Sequence, residues 1–337
     1  MTRWVLTLAA AVLSVGLAGR AEAAWEAAVL SGSDRLFLYS LLRDRPAGYR
    51  PEALRLVRRL ALSKKGGRPA FVAQRSFDLT PALDWDENVN GGTAADTLTL
   101  SGLRFTVDDG SRARAGFVAG IDAGAGIAFA VASRVRLSFD AHLSLRHAPE
   151  LDLNDARGGL RACAERGNLD WSAWRGCVGV SGRERALSSS AVRSAEIERI
   201  GLFSSGLGDH EWRAGIWWNT DGETVRRGVQ GTFLTANDRV GLVSLTATAG
   251  SDVLGGTAAL SRRVAGAPTR FSVGHLRQTG TPLLGERRKD RVLTAGVTRP
   301  VGKHFRTGLR WTRRRSTIEG FDSSGLRLDV GFRGWRW

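Results

Sequence analysis

Lysine is nearly absent from this chain: of 49 basic residues only Lys64, Lys65, Lys289 and Lys303 are lysine, and the rest are arginine. Proline is scarce, at 8 residues, and cysteine scarcer still, with only Cys163 and Cys177. Two cysteines without CxxC spacing exclude a zinc ribbon or a dithiol motif. The histidines, His142, His147, His210, His275 and His304, are scattered over four segments instead of clustering, so the residues offer no metal site and no cofactor. Long hydrophobic runs are also missing, apart from one near the start. A membrane-spanning helix needs about 20 apolar residues, and that excludes a helical membrane protein.

What is present begins with the first 23 residues. Arg3, an apolar run over residues 4–17 and the small-x-small site Ala21-Glu22-Ala23 predict a secretory signal peptide cleaved after Ala23. No cysteine adjoins that site, so the mature N-terminus is not lipidated. The net charge of +16 then speaks against nucleic acid as a partner, since the chain is exported. It favours an acidic lipid surface, an anionic solute or an acidic polypeptide. In an oxidising compartment Cys163 and Cys177, placed on adjacent predicted strands around a periplasmic turn, are a candidate disulfide.

Residues 24–70 carry a helical period. Leu36, Leu38, Tyr39, Leu41 and Leu42 recur at helical spacing behind a capping Ser33, and Leu54, Val57, Leu60 and Ala61 do so behind Pro51, with Gly66-Gly67 as the stop. Two short amphipathic helices over residues 33–63 are expected, as a small periplasmic extension.

From residue 71 the period becomes two. In RVRLSFDAHLSLRH, residues 134–147, Val135, Leu137, Phe139, Ala141, Leu143 and Leu145 alternate with Arg134, Arg136, Ser138, Asp140, His142, Ser144 and Arg146. In a strand these sets occupy opposite sides of the sheet. HEWRAGIWWN (210–219) and HFRTGLRWTR (304–313) repeat the split. With 42 glycines and few prolines, the expected fold class is all-β: a transmembrane antiparallel barrel of about fourteen strands over residues 71–337. The expected strands are residues 71–83, 112–131, 134–147, 152–163, 171–182, 190–203, 209–220, 223–235, 239–251, 253–265, 268–278, 289–299, 303–316 and 323–337. An even count puts both ends in the periplasm and makes the stretch between the first two strands the longest external loop. The last strand, ending in the aromatic Trp337, partly matches the signal read by the barrel-assembly machinery.

That loop, DWDENVNGGTAADTLTLSGLRFTVDDGSRARAG (84–116), together with its flanking strands, resembles the first hairpin of the barrel domain of the Slam family, the surface lipoprotein assembly modifiers. The resemblance rests on Asn88-Val89-Asn90, the Gly102-Leu103-Arg104-Phe105 stretch, the acidic pair Asp108-Asp109 and the basic run Arg112 to Gly116. It is specific over residues 71–147 and architectural beyond. It implies a fourteen-stranded outer-membrane barrel behind periplasmic tetratricopeptide helices, delivering lipoproteins or other clients to the cell surface. Here only two predicted helices precede the barrel, with no 34-residue repeat, so the client-handling array is either missing or supplied by another chain, a periplasmic helper.

Other chemistry is weaker. His142 and Ser144 with Asn154 could form a nucleophile and base, but they lie on the polar, lumen-facing side, away from lipid substrate. Asp84, Asp86, Glu87 and Asp96 lack the spacing of a calcium loop. The feature expected to matter is a basic lumen lined by Arg134, Arg136, Arg146, Arg213, Arg306 and Arg310, balanced locally by Asp140 and Glu211. The expected function is translocation or display of a client without catalysis, and the alternative is a passive anion-preferring pore.

Overall fold

In the computed structural model the described residues are 23–63, 69–90, 92–100, 103–280, 287–302, 305–318 and 321–332. The expected signal segment, the Gly66-Gly67 stop and the closing Trp335 and Trp337 lie outside them. Three helices come first: α1 (Ala24–Val29), α2 (Asp34–Asp44) and α3 (Arg50–Arg59). Then follow β1 (Phe71–Asp86), a small hairpin of β2 (Thr97–Leu100) and β3 (Leu103–Thr106), and thirteen further strands. These are β4 (Gly116–Ala132), β5 (Val135–Ala148), β6 (Leu153–Gly167), β7 (Ala173–Arg185), β8 (Ser188–Ser205), β9 (Gly208–Thr220), β10 (Val225–Asn237), β11 (Gly241–Gly250), β12 (Val253–Val264), β13 (Ala267–Thr279), β14 (Lys289–Val301), β15 (Phe305–Ser316) and β16 (Ser323–Phe332).

Each large strand pairs antiparallel with its neighbours in sequence, and β1 pairs with both β4 and β16, so fourteen strands close a barrel. That is the expected count. Closure lets the wall satisfy its own backbone groups, and among the described residues the β1–β16 seam is joined only at Ala82↔Gly331 and Leu83↔Val330. The alternation holds along most ladders, as in the unbroken β5–β6 register from Val135↔Arg166 to Ala148↔Leu153. One face carries Phe139, Leu160, Val178, Ile216, Leu245 and Leu328 out into the surroundings, each more than 40% exposed. A continuous apolar exterior of that extent is unsuited to water and matches the acyl region of a bilayer. The polar set therefore faces the lumen.

Boundaries differ from expectation where local chemistry intervenes. Helix α1 was not expected; its Ala27 and Ala28 are fully buried, so it exists through packing rather than period. Helix α2 starts as expected, with Ser33 Oγ accepting from the Leu36 amide at 3.2 Å. It stops at Arg45, whose φ of 45° closes the last turn in the left-handed region. Helix α3 has Pro51 in its first turn and ends at Arg59, short of residue 63, because Ala61 turns the chain at φ 57°. Arg134 was expected to open a strand. It instead occupies the β4–β5 turn at φ 59°, with its amide donating to the Ala61 carbonyl at 3.1 Å.

Candidate functional site

The lumen has two ends. One carries the short turns after β4, β6, β8, β10, β12 and β14, together with the helices; the other carries the segment between β1 and β4. The helices are seated in the first mouth. Ala27, Ala28 and Leu36 pack with Leu234, Ala236 and Leu242 of β10 and β11. A second cluster of Leu38, Leu41, Ala53, Leu56 and Leu60 holds the helices to one another and reaches Trp171 in the β6–β7 turn, where Tyr39 meets it edge-on at 5.5 Å.

Polar anchors secure this apolar contact. Ser33 Oγ donates to Glu211 on β9, and Arg35 places Nη2 2.6 Å from Glu165 Oε1 on β6. Arg43 reaches Asp209, whose carboxylate is fully buried. Arg136 on β5 donates to the Arg59 carbonyl. Glu211, Glu165 and Asp209 thus each find a donor from the helical segment, which is what makes buried charge tolerable here. Sequence reading identified Ser33 as a cap and Glu211 as a lumenal acid, but nothing local joins them.

Above the helices the wall between β6 and β9 is a network of opposite charges. Arg161 meets Glu196, Arg175 meets Glu198, and Arg213 places Nη2 2.5 Å from Glu211. Nearer the other rim, Asp155 accepts from Arg157 at 2.6 Å, Arg183 at 2.7 Å and Arg185 at 3.3 Å. Arg185 also lies 3.7 Å from Asp86. Of the two acids expected to balance the basic lining, Glu211 meets Arg213, while Arg146 pairs with Asp122 of β4, at 2.7 Å. Arg306 and Arg310 stand on β15, on the lumenal side by parity with Thr312, which the ladder sets opposite Thr294.

Cys163 and Cys177 face each other directly across the β6–β7 ladder and are joined as a disulfide. By parity with Arg161 and Arg175, the bridge looks into the lumen. His142 lies over Gly159, whose missing side chain makes room for the ring. Ser144 Oγ accepts from Arg146, while Asn154 bonds His147 at 3.0 Å. The expected grouping of His142, Ser144 and Asn154 is therefore not assembled, because the ladder sets Asn154 opposite His147, five residues from His142.

The segment between β1 and β4 turns inward. Val89, 2% exposed, packs with Val118 and Ala148 inside the rim. Asn90, expected as part of a loop motif, organises the turn: its Nδ2 donates to the Arg112 carbonyl at 2.6 Å, and its Oδ1 accepts from the Arg114 amide at 3.0 Å and the Gly92 amide at 3.3 Å. Asn88 Nδ2 donates to the Gly92 carbonyl, and Arg185 from the wall donates to the Asn88 carbonyl. Asp108 caps a short 3-10 turn at Asp109–Ser111, and Asp109 pairs with Arg112. The outer acids do not converge: Asp86 caps the Asn88 amide, Asp96 faces Arg112 and Glu87 lies by Gly325. The β2–β3 hairpin was missed because its four-residue strands are too short to show a period.

No protein-family model and no curated protein matches the chain. Solved structures similar to it include the translocator domain of autotransporter NalP from Neisseria meningitidis, at 14% identity and TM-score 0.28, over 86% of this chain and 98% of that one. Another is the beta domain of the Bordetella autotransporter Brka, at 11% identity and TM-score 0.26, over 77% and 99%. Likeness at that level carries no argument about activity.

Proposed function

We propose that this chain is an outer-membrane barrel of the Slam type, which assists translocation or display of a lipoprotein or other client at the cell surface. One observation carries the reading: the helices α1 to α3 occupy one mouth and are tied by Ser33, Arg35 and Arg43 to Glu211, Glu165 and Asp209 of the wall. A passive pore gains nothing from a docked obstruction of its own chain. A client-handling barrel needs a lumen that stays shut until something displaces the obstruction, and polar anchors around a small apolar contact suit reversible docking. The charge network between β6 and β9 supports the same reading, since paired side chains can exchange partners with a passing polypeptide.

In this reading the helix-bearing end faces the periplasm, where a helper chain supplies what the short extension lacks. The experiment is deletion in the native host, followed by protease shaving of intact cells. One or more lipoproteins should lose surface exposure while their total amounts stay constant. Unchanged exposure, together with large steady anion-selective conductance from the purified protein, would sink the proposal in favour of a passive pore.

A further inference from the structure

At the loop-bearing end of β13, β14 and β15 four arginines stand on the outward side of the alternation, three of them level with one another. On β13 the outward set is Phe271, Val273, His275 and Arg277; on β14 it is Val297, Ala295, Leu293 and Arg291; on β15 it is Leu309, Trp311, Arg313 and Arg315. The registers are unbroken and set Arg277 opposite Arg291, and Arg291 opposite Arg315. All three are exposed. They form a straight row across three strands, two residues or fewer from the strand ends at the loop-bearing rim. Arg313 stands just below, flanking Leu293.

Such a row is costly by itself. Like charges directly opposite on a ladder destabilise it, and among the described residues no acidic side chain forms an ion pair with any of these arginines. Asp155 and Glu165 show how the lumenal wall pairs arginines with carboxylates, an arrangement this row lacks. Below the row lie Leu293, Ala295, Trp311 and Val273, a surface for acyl chains. The guanidinium forks thus sit at the height where the apolar band gives way to the headgroups, with their aliphatic stems lying along the band. Ladder spacing of about 4.8 Å puts the outer two stems about 10 Å apart, a span that bidentate forks bridge onto one or two phosphate groups.

We infer that Arg277, Arg291 and Arg315 form a binding site for a phosphate-bearing lipid headgroup in the leaflet at the loop-bearing rim. The occupant is a membrane lipid rather than a soluble anion, because the row faces outward above an apolar wall and not into the lumen. The inference rests on the placement of the barrel in a bilayer and not on the identity of a client, so its failure would leave the translocation reading untouched.

The test is native mass spectrometry of the purified, folded full chain in detergent, with bisphosphorylated lipid A as the probe. The wild type should retain lipid A, and R277Q/R291Q/R315Q should retain it about tenfold less well. R227Q, which removes an outward arginine set opposite Trp218 at the same rim but outside the row, should behave as the wild type. Heat-modifiable migration reports folding; if the triple variant does not fold, R291Q alone removes the central fork and should weaken retention in the same direction. Equal retention by the triple variant overturns the site. So does equal retention of dephosphorylated lipid A, or protection against thermal unfolding by inorganic phosphate that matches that of lipid A.

Discussion

Arg35 and Glu165 are separated by 130 residues in sequence, yet they meet inside the barrel mouth with Nη2 2.6 Å from Oε1. Both side chains are less than 10% exposed. Removing one member of a buried pair strands the other charge, at a cost of about 3–5 kcal/mol. Arg35→Ala should therefore loosen helix docking, and single-channel recording should show openings absent from the wild type. Arg35→Leu with Glu165→Leu should dock better than either single change, because the stranded charge is gone. If all variants stay as silent as the wild type, the helices are not held by this pair.

Docking should also respond to acidity. Asp34 begins α2, beside Arg59 at 3.2 Å. Burial pushes its carboxyl above the usual carboxylate range, while Arg59 and Arg136 pull it back and Glu165 and Glu52 push it further up. A raised folded value means the protonated form favours the folded arrangement. That contribution is fully present below the ordinary carboxylate value and is lost as pH rises through the folded one. Open probability in a planar bilayer should accordingly increase as pH climbs across the carboxylate range, and Asp34→Asn should flatten the curve. An unaltered curve in the variant would assign the response to another group.

Adjacent residues on β11 test which side faces lipid. Leu245 is 48% exposed on the apolar face, while Thr246 lies opposite Thr232 and Thr257 on the polar one. Leu245→Arg should destabilise the barrel by about 2–4 kcal/mol, as lipid-facing charge near the midplane does, read as a lower denaturant midpoint in vesicles. Thr246→Arg should change it little. Equal losses would contradict the assigned faces.

Asn90→Ala removes three hydrogen bonds that close the external segment, at roughly 1 kcal/mol each. Limited proteolysis of the folded protein should then cut between β1 and β4 faster than in the wild type, with the barrel fragment intact. Cleavage elsewhere first would show that Asn90 does not govern this segment.

Cys163→Ser with Cys177→Ser opens a covalent loop with a sequence separation of 14. The chain-entropy account assigns such a loop about 3 kcal/mol. The variant should fold to the same barrel with a lower thermal midpoint, and reductant should lower the wild type but not the variant.

The strands were legible because lipid outside and water inside impose the same parity on segments of 10 to 18 residues. Short elements were not: α1 has six residues and β2 and β3 four each, too few for a period to emerge. The outward arginines carried a local signal that went unread, since Arg277, Arg291, Arg313 and Arg315 break the apolar parity of their own strands. Their alignment into a row needed the register.

By itself the sequence determined the barrel, its strand number and its two faces, because alternation is a local property that each strand states independently. It also set Cys163 and Cys177 close to one turn, so that pairing required only the adjacent ladder. The tertiary structure decided that the mouth is occupied, that Arg146 pairs with Asp122 and not Asp140, and that Asn90 closes the outer segment. Those contacts reach residues 22 or more positions apart, and charge patterns along a chain do not specify which of several equivalent partners closure brings within reach.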